Sequence, residues 1–496
     1  MSLSRVATRS RIGLTAVPVH VELHLSPGLP AIAMVGMPES IMREAKERVR
    51  SAVISSGFRW PDSRLTINIA PASTPKSGAS FDLAIAVAVL IASGQLPDTL
   101  AIDAEFYGEL SLSGDVLPTS GLLAAAWCNR DTGARLFVPK ADAAQMASLA
   151  QNVLAVEHLN NLRMPQHLTR VRPVDNAPSP SDCSRESLPL PAGQPELWRA
   201  ATLCAAGGHH LLMSGEPGAG KTMAAGLIGE LLPPPSEQDQ LEASLIYDVV
   251  GQDFDGHRPQ RAPHHSISSA GLVGGTRYAT PGEISLAHTG VLFLDELPEF
   301  SLATIENLRQ PMESGEVRIS RAEITQTYPA RFQLIAAMNP CPCGYRDSSH
   351  RACRCSNAAL TRYDSKLSGP LLDRIDIFIK VSRSKIADVM NPADPQHDQL
   401  DTLKRNIAEA YHRQIERQGC HNARIGTGDL IDLCSMRRDT KSWLAKTGEQ
   451  LKLSGRSLHR CLRVGRTISD LEGRDEVTEG DLSEALAYRK DIDPAL

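Results

Sequence analysis

A lysine and a threonine at the end of a glycine-rich run are the residues best placed to do chemistry. Gly215-Glu216-Pro217-Gly218-Ala219-Gly220-Lys221-Thr222 fits G-x-x-x-x-G-K-[ST] at every fixed position. Glycines let successive N–H groups turn toward a polyphosphate, and a helix N-terminus behind them adds partial positive charge. In that frame Lys221 reaches the β- and γ-phosphates and Thr222 ligates Mg²⁺. A pair of acids follows at Val291-Leu292-Phe293-Leu294-Asp295-Glu296, four apolar residues and then two carboxylates. A buried strand of a parallel sheet offers its ligands at its C-terminal end. Asp295 therefore reads as the group holding Mg²⁺ through water, and Glu296 as the base that polarises the attacking water.

Three further residues fit the same chemistry. Asn339 closes the apolar run 332–338 and can hydrogen-bond the γ-phosphate or the lytic water; it can equally be an ordinary strand-end Asn before Pro340. Arg374, in Pro370-Leu371-Leu372-Asp373-Arg374, suits an arginine finger given to a neighbouring subunit, or a structural pair with Asp373 or Asp376. Arg456, in Leu453-Ser454-Gly455-Arg456-Ser457, opens a helix from which it can reach the phosphates as part of a lid.

Cys341, Cys343, Cys353 and Cys355 form C-x-C-x₉-C-x-C, four of the ten cysteines of the chain. Four thiolates suit a tetrahedral structural Zn²⁺, and a loop this poor in apolar residues has little else to fold around. Free or redox-labile thiols are the alternative, since C-x-C is tighter than the usual spacing. The remaining cysteines are scattered singly.

These side chains need a scaffold. The apolar run 211–213, the glycine loop and the helix-compatible segment 223–232 give strand, loop and helix in the order the phosphate cradle requires. Residues 198–389 alternate strand and helix patterns, which predicts a mostly parallel sheet. The segment 390–496 carries two charged helical stretches, 398–418 and 454–471, joined to the sheet by 390–397. Before the sheet, residues 1–171 read as a mixed α/β unit with strands at 19–25 and 65–69. A helix over 38–56 has Ile41, Ala45, Val49 and Ala52 on one face, and a buried helix covers 83–92. The proline- and serine-rich stretch 172–197 reads as a linker.

The formal net charge of −5 gives no global polyanion signal, so contact with nucleic acid falls to local basic loops. Two are candidates. Gly271-Leu272-Val273-Gly274-Gly275-Thr276-Arg277-Tyr278 is a flexible loop tipped by a cation and an aromatic ring. Residues 316–328 read as a hairpin with Arg318 and Arg321 near its turn. Cationic loops of this kind track a phosphate backbone without reading sequence; a solvated hairpin with incidental arginines is the bland alternative. No apolar run approaches the length of a membrane span, and the first residues lack a signal-peptide core. The expectation is a cytoplasmic protein with reduced cysteines.

Taken together the motifs resemble an AAA+ ATPase. Arg261-Ala262-Pro263-His264-His265, Pro281-Gly282-Glu283-Ile284-Ser285-Leu286-Ala287-His288 and Ala336-Ala337-Met338-Asn339-Pro340-Cys341-Pro342-Cys343-Gly344 narrow this to the magnesium-chelatase-like ComM/YifB family. The resemblance runs from the first residues to Asp470. It implies ATP and Mg²⁺ as cofactors and the roles given above to Lys221, Thr222, Asp295, Glu296, Asn339, Arg374 and Arg456. It also implies a homo-hexameric ring, both basic loops in the ring's pore, and DNA branch migration beside recombination proteins in natural transformation. One departure concerns the base pocket: the family's acidic lead-in to Gly-Gln is replaced here by Leu190-Pro191-Ala192-Gly193-Gln194-Pro195.

The first unit has a resemblance of its own. Pro75-Lys76-Ser77-Gly78-Ala79-Ser80 looks like the catalytic-serine region of Lon-type Ser/Lys proteases, and Gly114 to Leu123 like the segment carrying their lysine. Leu123 stands where that lysine belongs, and leucine cannot take a hydroxyl proton. The expected architecture is thus a degenerate Lon-protease-like α/β domain, a central AAA+ P-loop parallel-sheet domain and a C-terminal helical lid. A DNA motor is the leading reading; a chelatase motor subunit and a protein remodeller are the alternatives.

Overall fold

The structure, a computed structural model, describes residues 2–489 except 77, 173–192, 277–278, 322–323, 347, 349, 368 and 384–395. The chain forms two compact units, Met1–Ser181 with Ser244–Asp255, and Asp182–Ala243 with Gly256–Leu496.

In the first unit, strands β1 (Ser2–Ile12) and β2 (Thr15–Ser26) pair antiparallel along their whole lengths. With β3 (Ala31–Val35), β4 (Arg64–Ala70) and β5 (Ala104–Phe106) they belong to a seven-stranded sheet. A small ribbon, β6 (Glu109–Leu110) with β7 (Val116–Leu117), stands outside it, and β8 (Arg135–Pro139) and β9 (Val153–Val156) complete the order β3-β4-β2-β1-β5-β8-β9. Helix α1 (Glu39–Ser55) buries Ala45, Val49, Ala52 and Val53, and the chain leaves it through Gly57 at φ 76°. Helix α2 (Asp82–Ala92) is buried at every position and, after Asp82, which Arg48 pairs at 2.7 Å, apolar all round. Each of its Leu, Ile and Val side chains contributes about 1.5–3 kcal/mol on burial. Arg9 is buried beside it in the sheet and meets Glu105 through two hydrogen bonds of 2.7 and 2.8 Å.

The second unit is built on a five-stranded sheet. β10 (Leu211–Gly215) lies between β15 (Gln333–Met338) and β16 (Ile377–Val381); β12 (Val291–Leu294) flanks β15, and β11 (Gln260–Arg261) forms the edge. All these pairings are parallel. β13 (Glu316–Ser320) and β14 (Thr325–Pro329) make a separate hairpin. Helix α3 (Pro195–Gly207) precedes β10, and α4 (Lys221–Leu231) follows it. Residues 195–197, assigned by composition to the linker, are the first turn of α3, because proline at the first helical position costs no hydrogen bond. Residues 173–192 of that stretch lie outside the described residues.

Beyond the cysteine loop come α5 (Asn357–Asp364), α6 (Gln396–Gln418) and α7 (Gly455–Leu471), the last capped by the Ser454 hydroxyl. Gln396 and His397, read as the end of a connection, already belong to α6. Ile407 and Ala410 of α6 and Val464 and Ile468 of α7 share one core with Leu211, Met213, Ile335 and Ile377 of the sheet. The helical C-terminal region is therefore packed into the same unit as the glycine loop.

Candidate nucleotide site

Strand register decides which side chains meet. Ser214 pairs with Met338, Gly215 with Val381, and Leu294 with Ala336. The glycine loop, Asn339 and the Asp295-Glu296 pair consequently leave the sheet at one C-terminal edge, where a parallel sheet presents ligand groups. Gly218 and Gly220 take φ of 77° and 88°, which allows the loop to curl over the first turn of α4.

Lys221 is buried inside this curl. Its Nζ donates to Gly215 O at 2.6 Å, Glu216 O at 3.1 Å and Asn339 Oδ1 at 3.0 Å. Burial lowers its pKa from the usual lysine range, with Asp295 and Glu296 opposing the shift. Those three acceptors hold the ammonium group and point it across the loop. The Thr222 hydroxyl lies 3.4 Å from Asp295 Oδ2, so the two proposed Mg²⁺ groups face each other.

Glu296 stands at φ 52°, ψ 45°, the left-handed region, and its N–H donates to Asp295 Oδ1 at 2.9 Å. A non-glycine residue there costs about 1–3 kcal/mol and recurs at functional sites. The turn aims its half-exposed carboxylate at His265, whose Nδ1 is 3.6 Å from Oε2. His265 is in turn braced by the His264 ring at 4.0 Å and the Phe300 ring at 6.4 Å. Arg261 and Glu283 join two of the quoted motifs by hydrogen bonds of 2.6 and 2.7 Å. His288, from the same stretch, accepts the Arg331 N–H at Nδ1 (3.0 Å) and meets Glu242 at Nε2 (2.8 Å). It is therefore a neutral ring with its proton on Nε2, and burial keeps its pKa below the ordinary histidine value.

Arg374 and Arg456 are not hydrogen-bonded to this cluster among the described residues. Arg374 is largely buried, with its guanidinium on Glu313 and Pro370 O and its Nε without a partner. Its ion-pair partner is Glu313 rather than Asp373 or Asp376. Asp376 is fully buried and receives the His210 N–H at 3.0 Å and Arg460 of α7 at 2.7 Å. Burial alone would raise its pKa, but Arg460, His209 and His210 hold it well below the usual carboxylate range. Burial takes the His210 ring down to about 4. Arg456 is exposed in the first turn of α7.

Gln194 bears on the departure noted before the glycine loop. Its Nε2 donates to Ala219 O at 3.1 Å, so the Gln of the altered segment still touches the loop. The sequence assigned no individual role to His265 or Glu313. His265 had a signal in its quoted motif, whereas Glu313 reaches Arg374 across 61 positions with none.

Of the two basic loops, Arg277 and Tyr278 lie outside the described residues. Arg318 is exposed on β13, and Val317 and Ile319 point inward. Arg321 commits its guanidinium to Gly275 O at 2.7 and 3.1 Å, which ties the hairpin to the other basic loop. In the cysteine loop, Cys341, Cys343 and Cys353 have sulfurs 3.3, 3.6 and 3.7 Å apart, and with Cys355 all four lie within 4.8 Å. N–H groups of Arg354 and Tyr345 stabilise the Cys343 thiolate and bring its pKa down to about 6.

In the first unit, Ser80 is buried and Lys76 Nζ donates to Pro71 O (2.6 Å) and Thr74 O (3.2 Å). Leu123 sits in the helix Leu122–Asn129. Among the described residues no helix is long and apolar enough to cross a membrane.

Comparison with known proteins agrees with this geometry. The family described as magnesium chelatase, subunit ChlI, matches residues 190–389; the description subunit ChlI of Mg-chelatase matches 21–142; and the ChlI C-terminal description matches 398–489. An uncharacterized protein YifB of Salmonella typhimurium is 40% identical, covering 99% of this chain and 97% of its own. Competence protein ComM of Haemophilus influenzae is 39% identical, with 99% and 98% covered. The chloroplastic magnesium-chelatase subunit ChlI of Nicotiana tabacum is 22% identical over 43% of this chain and 45% of its own. On this full-length similarity, and with a parallel α/β sheet and helical C-terminal region of the AAA+ kind, the chain belongs to the magnesium-chelatase-like ComM/YifB family.

Proposed function

We propose that this protein is an ATP-hydrolysing, ring-forming motor that moves DNA, acting on branched recombination intermediates in the cytoplasm. Lys221, Thr222 and Asp295 hold Mg·ATP, Glu296 activates water, and Asn339 passes from Lys221 to the γ-phosphate. Arg374 leaves Glu313 to serve the neighbouring subunit's nucleotide, and Arg456 closes from α7. The orphaned Arg374 Nε supports this change of partner, since a buried donor without an acceptor is costly at rest. In this reading the first unit is a Lon-like fold without protease activity, lining the DNA path.

The observation that carries the DNA reading is the Arg321–Gly275 tether, which makes one body of the two loops and leaves Arg318 exposed on it. The name of the ComM relative, a competence protein, points the same way. A chelatase-type motor is the weaker reading, because tobacco ChlI is 22% identical over 43% of this chain whereas the ComM relative is 39% identical over 99%. The test is steady-state ATP hydrolysis with and without a synthetic four-way or three-strand DNA junction, at two salt concentrations. Stimulation that weakens with salt supports the motor; hydrolysis indifferent to DNA in assembled protein overturns it.

We propose also that Cys341, Cys343, Cys353 and Cys355 hold one Zn²⁺. Tetrahedral Zn–S bonds of about 2.3 Å place sulfurs about 3.8 Å apart, close to the three observed separations and far from a disulfide bond. Elemental analysis of purified protein should give about one zinc per chain; metal-free protein overturns the assignment.

A further inference from the structure

The cysteine loop is part of the wall of the nucleotide site. It leaves the sheet two residues after Asn339, whose Oδ1 accepts the Lys221 ammonium. It returns through α5, where the buried Tyr363 hydroxyl donates to Asn339 O at 3.0 Å. The loop is thus closed on the backbone of the residue that touches Lys221.

Its second contact is with the phosphate loop itself. Gly344 N–H donates to Cys341 O at 2.9 Å, forming the turn that directs the Cys343 sulfur inward. Gly344 takes φ 83° and presses so closely on the phosphate loop that a Cβ there would lie 2.7 and 2.8 Å from Pro217 Cδ and Cγ. The same Cβ would be 4.0 Å from Asn339 Cγ. One turn of the metal knuckle therefore rests on Pro217 while its stem carries Asn339.

Few apolar side chains hold this turn in place; its other ties are polar, among them Arg346 to Asp364 at 3.1 Å. Among the described residues of 341–355 the fully buried side chain is Cys341 itself, and Arg351 stacks over the Tyr345 ring at 4.6 Å. A loop with so small an apolar core takes its shape from bound metal. The packing on Pro217 and the position of Asn339 then depend on whether the four sulfurs are bridged.

We infer that metal binding at Cys341, Cys343, Cys353 and Cys355 and nucleotide binding at 215–222 are thermodynamically linked through the Gly344–Pro217 contact and Asn339. This rests on the zinc reading above. Linkage is reciprocal: metal tightens nucleotide binding, and nucleotide tightens metal binding by the same factor. Couplings between distinct sites typically span about 5- to 150-fold, and direct packing on the phosphate loop should give at least about fivefold.

The test uses the full chain, N-methylanthraniloyl-ATP with Mg²⁺ as the fluorescent probe, and elemental analysis of each preparation. Cys343→Ser combined with Cys353→Ser should lose zinc and weaken probe binding at least about fivefold. Gly344→Ala keeps all four thiolates; it should keep zinc, keep the wild-type circular dichroism and weaken the probe by a similar factor. In the reverse direction, zinc transfer from wild type to a chelating dye should slow when a non-hydrolysable ATP analogue with Mg²⁺ is present. Zinc-free wild type would remove both the zinc assignment and the linkage. Wild type with its zinc, Gly344→Ala within twofold in probe affinity and unchanged zinc transfer would sink the linkage and leave the zinc site standing. If the serine variant does not fold, Gly344→Ala and the dye assay still decide.

Discussion

Replacing Asp376 by Asn should be a strongly destabilising isosteric change in the second unit. Both carboxylate oxygens accept: Oδ1 from Arg460 at 2.7 Å and Oδ2 from the His210 N–H at 3.0 Å. An amide has one acceptor oxygen, so either Arg460 or His210 N–H would face an NH₂ group. The lost attraction at 2.7 Å is about 6 kcal/mol gross for an effective dielectric near 20. Desolvation offsets much of it, and removing one partner of a buried pair typically costs about 3–5 kcal/mol. With Asp376 fully buried and the Arg460 side chain 17% exposed, the loss should fall toward the lower end of that range.

Trp198 and Trp443 both pack against the second unit's core and report its unfolding by fluorescence in urea. The pH dependence gives a second check. The folded-state pKa of Asp376 is depressed, so its stabilisation is present above its unfolded value near 4 and is lost as pH falls below that. The gap between wild type and variant should be constant from about pH 6 to 8 and shrink below about pH 4. A variant within about 0.5 kcal/mol of wild type at neutral pH would refute the reasoning, because a surface substitution would do as little. So would a coupling energy near zero in a double-mutant cycle with Arg460→Met.

Two other outcomes follow from the site. Glu296→Gln should bind N-methylanthraniloyl-ATP like wild type and lose at least about 10² of the hydrolysis rate, the lower range for a positioned general base; turnover near wild type would show that Glu296 is not the base. Arg374→Ala should be inactive alone but regain hydrolysis when mixed with a Lys221→Ala chain, since each would supply what the other lacks at a shared interface. No recovery at any mixing ratio would leave Arg374 as the structural partner of Glu313.

The parts legible in the sequence were those where neighbouring residues carry the signal. The glycine loop, the acids after β12 and the apolar run 83–92 of α2 each state their structure within about ten residues, because turn chemistry, strand burial and helix composition are local. The partners of those groups were not legible, because parallel-sheet register brings them from far along the chain. Asp376 was read as a partner for Arg374 two positions away. Arg374, however, lies in a turn while Asp376 leads directly into β16, and the Asp376 oxygens turned to α7 and to the residue before β10. Arg321 was read as a basic residue near the hairpin turn, and its bond to the carbonyl of Gly275 in the other basic loop was not visible there. The same reasoning applies to Gly344. As the residue after C-P-C it reads as a simple turn glycine, and its packing on Pro217 emerges because Ser214 pairs with Met338 and sets the two loops side by side. A cluster that the sequence presents as a separate knuckle is thereby placed against the phosphate loop, and its occupancy becomes a variable of the nucleotide site.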